Sequence, residues 1–268
     1  MNLKNLYARS LKNISSEEIF DLILFRPLGF ITAYLLRKTP VTPNWVTVAS
    51  MFFGILSGMA FYFVSYESGA LLLLGANILD CSDGQLARMK GTSSKIGRIL
   101  DGFADYVTYV AVYTGMTFAW MRDTGDFYWF WIGWFLAVST IIQAAIFDDY
   151  RNRFIGGESM EEMKEEAESF RNLQRETENP LKKFLYFMYA FYTNKQIRFR
   201  EKNQNRRISP LFMRLLTFLG STTHITLLVV FAFLKRLDLY YITVSVVLNV
   251  YLALLMIFQK KINYTKEA

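Results

Sequence analysis

The sequence predicts an all-α fold, a polytopic membrane helix bundle of six transmembrane helices preceded by an N-terminal interfacial amphipathic helix. Three observations carry this expectation. The 268-residue chain is 53% hydrophobic and 17% aromatic, with only 20% charged residues. Uncharged stretches run over Trp45–Tyr66, Thr108–Met121, Phe127–Phe147, Leu215–Leu234 and Leu239–Gln259. All but the second are about 20 residues long, enough for a helix to cross a hydrocarbon core of roughly 30 Å. Lys and Arg are also distributed unevenly about these stretches, as the positive-inside rule requires of a membrane protein. A soluble domain of this size would have to hide all of these segments in one core.

Residues 1–43 form a cytoplasmic or interfacial segment. Ser15 and Glu18 have capping-box spacing, and the apolar pattern from Ile19 to Leu36 is interrupted by Arg26 and Pro27. An arginine beside a helix-breaking proline is costly at the bilayer midplane but tolerable at headgroup level, so the segment reads as an interfacial helix with a kink or restart near Pro27. Met1–Phe20 is polar and mixed in charge, unlike a cleavable signal sequence. Pro40 and Pro43 close the segment.

Residues 44–259 form the transmembrane domain. Its second candidate span, Ser68–Ala87, begins apolar and then carries Asp80 and Asp83. The Thr108 stretch becomes a full span only if it reaches back through Asp105 and Asp101. A cytoplasmic helical insertion is expected at about 148–210. Ser159 and Glu162 form a capping box there, charges of both signs mark a solvated helix to Glu178, and an aromatic, then basic, run follows Pro180. Residues 260–268 are a cytoplasmic tail.

With six spans and both termini inside, all of the 30 Lys and Arg except Arg122, Lys235 and Arg236 fall on the cytoplasmic side. The net charge of +7 then reads as attraction to membrane lipids and anionic substrates. No motif supports nucleic acid as a partner. The single Cys81 excludes an internal disulfide.

Carboxylates inside a membrane are expensive and functional by default, which singles out Asp80, Asp83, Asp101 and Asp105. Asp80, Asp83, Gly84 and Ala87 share one helical face, and Gly97, Asp101 and Asp105 recur every four residues on another. If the two helices are antiparallel neighbours joined at Lys90-Gly91-Thr92, the four acids meet near the cytoplasmic boundary. Two divalent cations, Mg2+ or Mn2+, would neutralise them, in the layout that clamps the oxygens of a phosphoryl transfer. Two other readings stand beside this one: carboxylates paired with Arg88 and Arg98, or a membrane transporter passing cations or protons along the acids. Gly84, Ala87 and Gly97 leave room for a planar base or diphosphate, and Arg88 offers a planar donor fork.

These residues form a pattern that resembles the signature of the CDP-alcohol phosphatidyltransferases: Asp80, Asp83-Gly84, Ala87-Arg88, Gly97, Asp101 and Asp105 match at all eight positions. Arg26-Pro27 and Thr42-Pro43-Asn44-Trp45-Val46-Thr47 extend the resemblance, which thins in the cytoplasmic insertion. It implies an enzyme of phospholipid biosynthesis that transfers a phosphate-linked group from a CDP-linked donor, lipid or CDP-alcohol, to a small or lipid alcohol with release of CMP. By the same resemblance, Gly84, Ala87, Arg88 and Gly97 hold the CDP part of the donor. Asp80, Asp83, Asp101 and Asp105 bind metal, Asp105 is the general base, and the protein is a homodimer. Arg151 and Arg153 are candidates for an acceptor phosphate, with Arg198, Arg200, Arg206 and Arg207 behind them. Cys81 and His224 are expected to pack rather than react.

Overall fold

The computed structural model describes residues 6–7, 10, 17–156, 159–201 and 208–264, which are helical without any strand. Ser15, and Arg206 with Arg207, lie outside the described residues, so the Ser15 capping box and those two arginines have no structural account.

A π-helical turn, Asp21–Phe25, runs directly into α1, Arg26–Leu36. Pro27 sits in the first turn of α1, where a missing N–H costs no ladder bond, so this junction is the expected restart. The Arg26 guanidinium, 11% exposed, lies against Glu17 at 3.0 Å and Asp21 at 2.8 Å, where two carboxylates replace the water that partial burial removes.

The helix α2, Pro43–Tyr62, starts with proline after an extended Thr42. It is the post on which α3, Tyr66–Lys90, and α4, Lys95–Thr124, are mounted. Its buried Ser50, Gly54, Ser57 and Gly58 form the kind of small-residue stripe that lets membrane helices approach closely. The Ser50 and Ser57 hydroxyls each donate to α3, at the Ala76 and Gly69 carbonyls, at 2.8 Å. Gly54 and Gly58 abut Thr108 and Ala111 of α4 so closely that a methyl at either would overlap them. Gly91, with φ +65°, ends α3, and the Ser94 hydroxyl caps α4 by accepting from the Gly97 N–H. The two acid-bearing helices therefore pack chiefly on α2, and the expected meeting of their acids holds for Asp80, Asp83 and Asp101. The reason is steric: the small residues that permit close approach are on α2.

The chain continues as α5, Tyr128–Phe154; α6, Met160–Glu176; α7, Pro180–Glu201; α8, Pro210–Leu216, tightening through Leu219; α9, Ser221–Phe233; α10, Leu237–Ile242; a π-helical turn at Thr243–Val247; and α11, Leu248–Tyr264. Among the described residues, three helices are long and apolar enough to cross a membrane: α2, α5 and the α10–α11 unit Leu237–Gln259. Pro210–Leu219 with Ser221–Phe233 makes a fourth, bent by 42°, if the pair is one span. The uninterrupted span expected over Leu215–Leu234 is thus broken at Gly220, whose backbone is extended. The acid-bearing α3 and α4 are long enough, at 25 and 30 residues, but their charged residues deny them the same apolar character. Trp131, Trp134, Phe135, Leu254 and Ile257 are all exposed. Large apolar side chains left outward over whole helices mark a surface meant for lipid.

Between the helices, the Tyr113 hydroxyl meets Thr140 and Tyr240, each at 2.9 Å, tying α4 to α5 and α10. The insertion folds as the α6–α7 hairpin, begun by the expected Ser159–Glu162 capping box. It docks on the start of α4: Phe170, Tyr186 and Ala190 bury Ile99, and Phe184 meets Phe103 edge to face.

Candidate active site

The last turns of α3 and the first turns of α4 converge on the carboxylates. Asp80, Asp83 and Asp101 each place an oxygen within 4.8 Å of the others. Asp105 stands one turn further along α4, exposed, and lines a cavity of about 20 Å³ with Asp80. The structure therefore gathers three of the predicted ligands and sets the fourth beside them.

The trio's surroundings fit a hard cation. Asp80 Oδ1 is buried without a hydrogen-bond partner among the described residues. Asp83 is 5% exposed and accepts a short hydrogen bond from the Thr47 hydroxyl of α2 on Oδ2. Three buried or half-buried carboxylates facing one another without a cation among them repel strongly, and all-oxygen donors suit Mg2+ or Mn2+. An oxygen left bare in such a place is available to a cation.

The residues expected to hold the donor lie on the same wall. Arg88 donates through Nε to the Ser10 carbonyl at 2.6 Å, while its Nη2 is buried without a partner among the described residues. An orphaned guanidinium nitrogen is costly unless an anion arrives to use it. Gly84 and Ala87 are half-buried beside it, and at Gly84 only the Arg88 guanidinium is near the place a side chain would take. A methyl at Gly97 would come within 3.1 Å of Ser94 Oγ and 3.3 Å of Asn44 Oδ1.

The acceptor candidates are less free than expected. Arg153 is paired with buried Asp149 at 2.6 Å, and Arg200 reaches the same carboxylate at 3.5 Å. Arg151 pairs with half-buried Asp148 at 3.0 Å, and Asp148 is in electrostatic reach of Asp105. Arg198 lies away from the carboxylates, in the α6–α7 hairpin.

Sequence reasoning passed over several residues here. The faces that carry the acids continue as Asn77, three residues before Asp80, and as Tyr109 and Tyr113, four and eight after Asp105. All three line the cavity with Asp80 and Asp105, so extending the helical periodicity one turn would have found them. His224 is buried, as packing requires, but it also lines this cavity. Only the tertiary fold puts α9 there. Cys81 packs beside the site as expected, buried, with its thiol 3.3 Å from Asp21 Oδ1.

Comparison with known proteins agrees with this geometry. The CDP-alcohol phosphatidyltransferase family model matches residues 40–191. A CDP-diacylglycerol–serine O-phosphatidyltransferase of Helicobacter pylori strain J99 is 39% identical over 69 residues, 25% of this chain and 28% of the relative. An archaetidylinositol phosphate synthase of Pyrococcus horikoshii is 30% identical over 81 residues, 30% of this chain and 43% of the relative. The chain thus matches less than half the length of each of these relatives.

Proposed function

Since this chain belongs to the CDP-alcohol phosphatidyltransferase family, we propose that it transfers a phosphatidyl group from CDP-diacylglycerol to the hydroxyl of a small, phosphorylated polyol, releasing CMP. The observation that carries this reading is the carboxylate trio within 4.8 Å, with Arg88, whose Nη2 is buried without a partner among the described residues, in electrostatic reach of Asp83. Acidic oxygens and a donor fork on one wall suit a metal-neutralised diphosphate.

In this reading α3 and α4 complete six spans, the bent α8–α9 pair counting as one, and the carboxylates lie at the cytoplasmic face. Asp80, Asp83, Asp101 and Asp105 would hold two divalent cations, and these would supply positive charge to offset that of the diphosphate and of the departing CMP. Arg88 Nη2 donates to a diphosphate oxygen. The absence of side chains at Gly84 and Gly97 lets the cytidine lie against helix backbone. Thr47 orients Asp83 by occupying one of its oxygens. Asp105, exposed at the cavity, takes the proton of the acceptor hydroxyl as it attacks phosphorus. Arg151, on the helix that carries Asp148 past Asp105, is the side chain best placed to receive an acceptor phosphate.

The test is CMP release by purified protein given CDP-diacylglycerol, Mg2+ or Mn2+, and separate acceptors: inositol phosphate, glycerol phosphate, serine and inositol. Release dependent on a phosphorylated polyol is expected. Release with serine alone would move the acceptor assignment, and cation flux without CMP release from any CDP-linked donor would replace the enzyme reading by a transporter.

A further inference from the structure

Away from the carboxylates, the α6–α7 hairpin encloses a pocket of about 410 Å³. Arg171 and Arg175 enter it from α6, and Lys195 and Arg198 from α7; none of these four cations has an ion-pair partner among the described residues. The nearby pair Lys164–Glu201, at 2.9 Å, shows that the hairpin does pair its charges elsewhere. Phe187 and Phe191, stacked with ring centroids 6.2 Å apart and about half exposed, form the apolar edge of the same pocket.

The spacing explains the convergence. Residues 187, 191, 194 and 198 fall on one stripe of α7, and 171 and 175 are one turn apart on α6. The hairpin is fastened on its other face, by Met163, Ala167 and Ile197 and by Phe170 against Tyr186 and Tyr189. That leaves the basic stripes open. Like charges gathered around one concavity repel until an anion enters it, and a volume of this size admits a small organic group rather than a bare ion. Exposed phenylalanines beside cations are the chemistry of the membrane interface, where rings meet acyl chains and bases meet phosphate.

We propose that this pocket binds the phosphate-bearing headgroup of an anionic phospholipid, at a site separate from the carboxylate centre. Its bound lipid rests against the hairpin that docks on the first turns of α4 through Ile99 and Phe103.

The experiment is calorimetric titration of the full-length protein in neutral detergent with chelator present, which suppresses metal-dependent binding at the carboxylates. The probes are dihexanoyl-phosphatidylglycerol, dihexanoyl-phosphatidylcholine and inorganic phosphate. The phosphatidylglycerol is expected to bind at least about tenfold tighter than either of the others. Arg175→Gln with Arg198→Gln should weaken it roughly 10- to 30-fold with the thermal midpoint unchanged, since both residues are exposed. Lys substitution at the same two positions should retain most of the affinity. Wild-type affinity in the Gln variant overturns the site; equal binding of phosphatidylcholine overturns its charge selectivity, and equal binding of inorganic phosphate overturns the lipid as its occupant.

Discussion

The Glu18 carboxylate closes the N-terminus of α9, accepting from the Thr222 N–H at 3.2 Å and from the Thr223 N–H and hydroxyl at 2.8 and 2.9 Å. These groups are the orphan donors that any helix start must satisfy, and a carboxylate also suits the positive end of the helix dipole. The contact explains the 42° break, because Gly220 must leave the helical path for Glu18 to reach the amides. It joins the N-terminal segment to the last third of the chain. Because Glu18 is 3% exposed, burial pushes its pKa up from 4.5 to about 7, outweighing the hydrogen bonds from Thr223 and Thr222 that pull it down.

Stability should therefore depend on pH through Glu18. A folded-state pKa above the unfolded one means that the folded protein holds the proton more tightly. The associated stability is full below about 4.5 and is lost as pH rises through about 7. The whole effect is on the order of 3 kcal/mol. The thermal midpoint of wild-type protein in detergent should fall between pH 5 and 8, and that of Glu18→Gln should fall less. Parallel curves for the two proteins would reject the assignment.

Gly220→Ala should act through the same contact. Its methyl would overlap the Glu18 carboxylate, so the cap must shift or break. A cost of about 1–3 kcal/mol is expected, the penalty of leaving buried donors unsatisfied. In a double-mutant cycle with Glu18→Ala, the second substitution should cost much less than the first, since there is then no carboxylate to displace. Additive losses would mean that Gly220 serves something other than this cap.

Division of labour among the acids follows from their placement. Asp80→Asn and Asp101→Asn disturb the carboxylate trio and should weaken metal-dependent donor binding along with turnover. Asp105 stands outside the trio, so Asp105→Asn should retain more donor binding and lose turnover by a factor of the order of 10²-fold or more in the chemical step. Calorimetry with the CDP-linked donor across a Mg2+ titration, alongside turnover, separates these outcomes. Wild-type turnover in Asp105→Asn would remove the general base from the mechanism.

Arg151 and Arg153, adjacent in sequence and alike in charge, should respond differently to substitution by Ala. Arg151→Ala should raise the acceptor KM several-fold while leaving the donor KM and the thermal midpoint nearly unchanged. Arg153→Ala should lower the midpoint, because Asp149, only 3% exposed, loses a partner at 2.6 Å. Breaking one side of a buried pair costs about 3–5 kcal/mol, tempered here by Arg200 at 3.5 Å. Matching effects of the two substitutions on both readouts would rule out the distinction.

Much of the site was legible in one dimension because helices repeat every three to four residues. That period alone placed Asp80 and Asp83 on one face and Asp101 and Asp105 on another, and the same rule extended to Asn77, Tyr109 and Tyr113 would have described most of the cavity wall. The Ser159–Glu162 cap was likewise readable, since both halves of the interaction lie within one turn. Glu18 shows the limit. Nothing in its local spacing points to the amides of Thr222 and Thr223, 204 and 205 residues away, that its carboxylate serves.

The sequence by itself determined what kind of solvent the chain is built for and where its charge is costly. Length, apolarity and helical period are properties of neighbouring residues, and they require only the geometry of one helix. Which helices touch was decided by tertiary structure. The close approach at Gly54 and Gly58 makes α2 the common support of α3 and α4, and leaves their carboxylates facing across a gap instead of locked at a helix seam. Partner choice is divided between the two levels. Asp149 and Arg153 lie four residues apart on one helix, so local spacing already offers that pair, whereas Arg200 reaches the same buried carboxylate from α7, which only folding delivers.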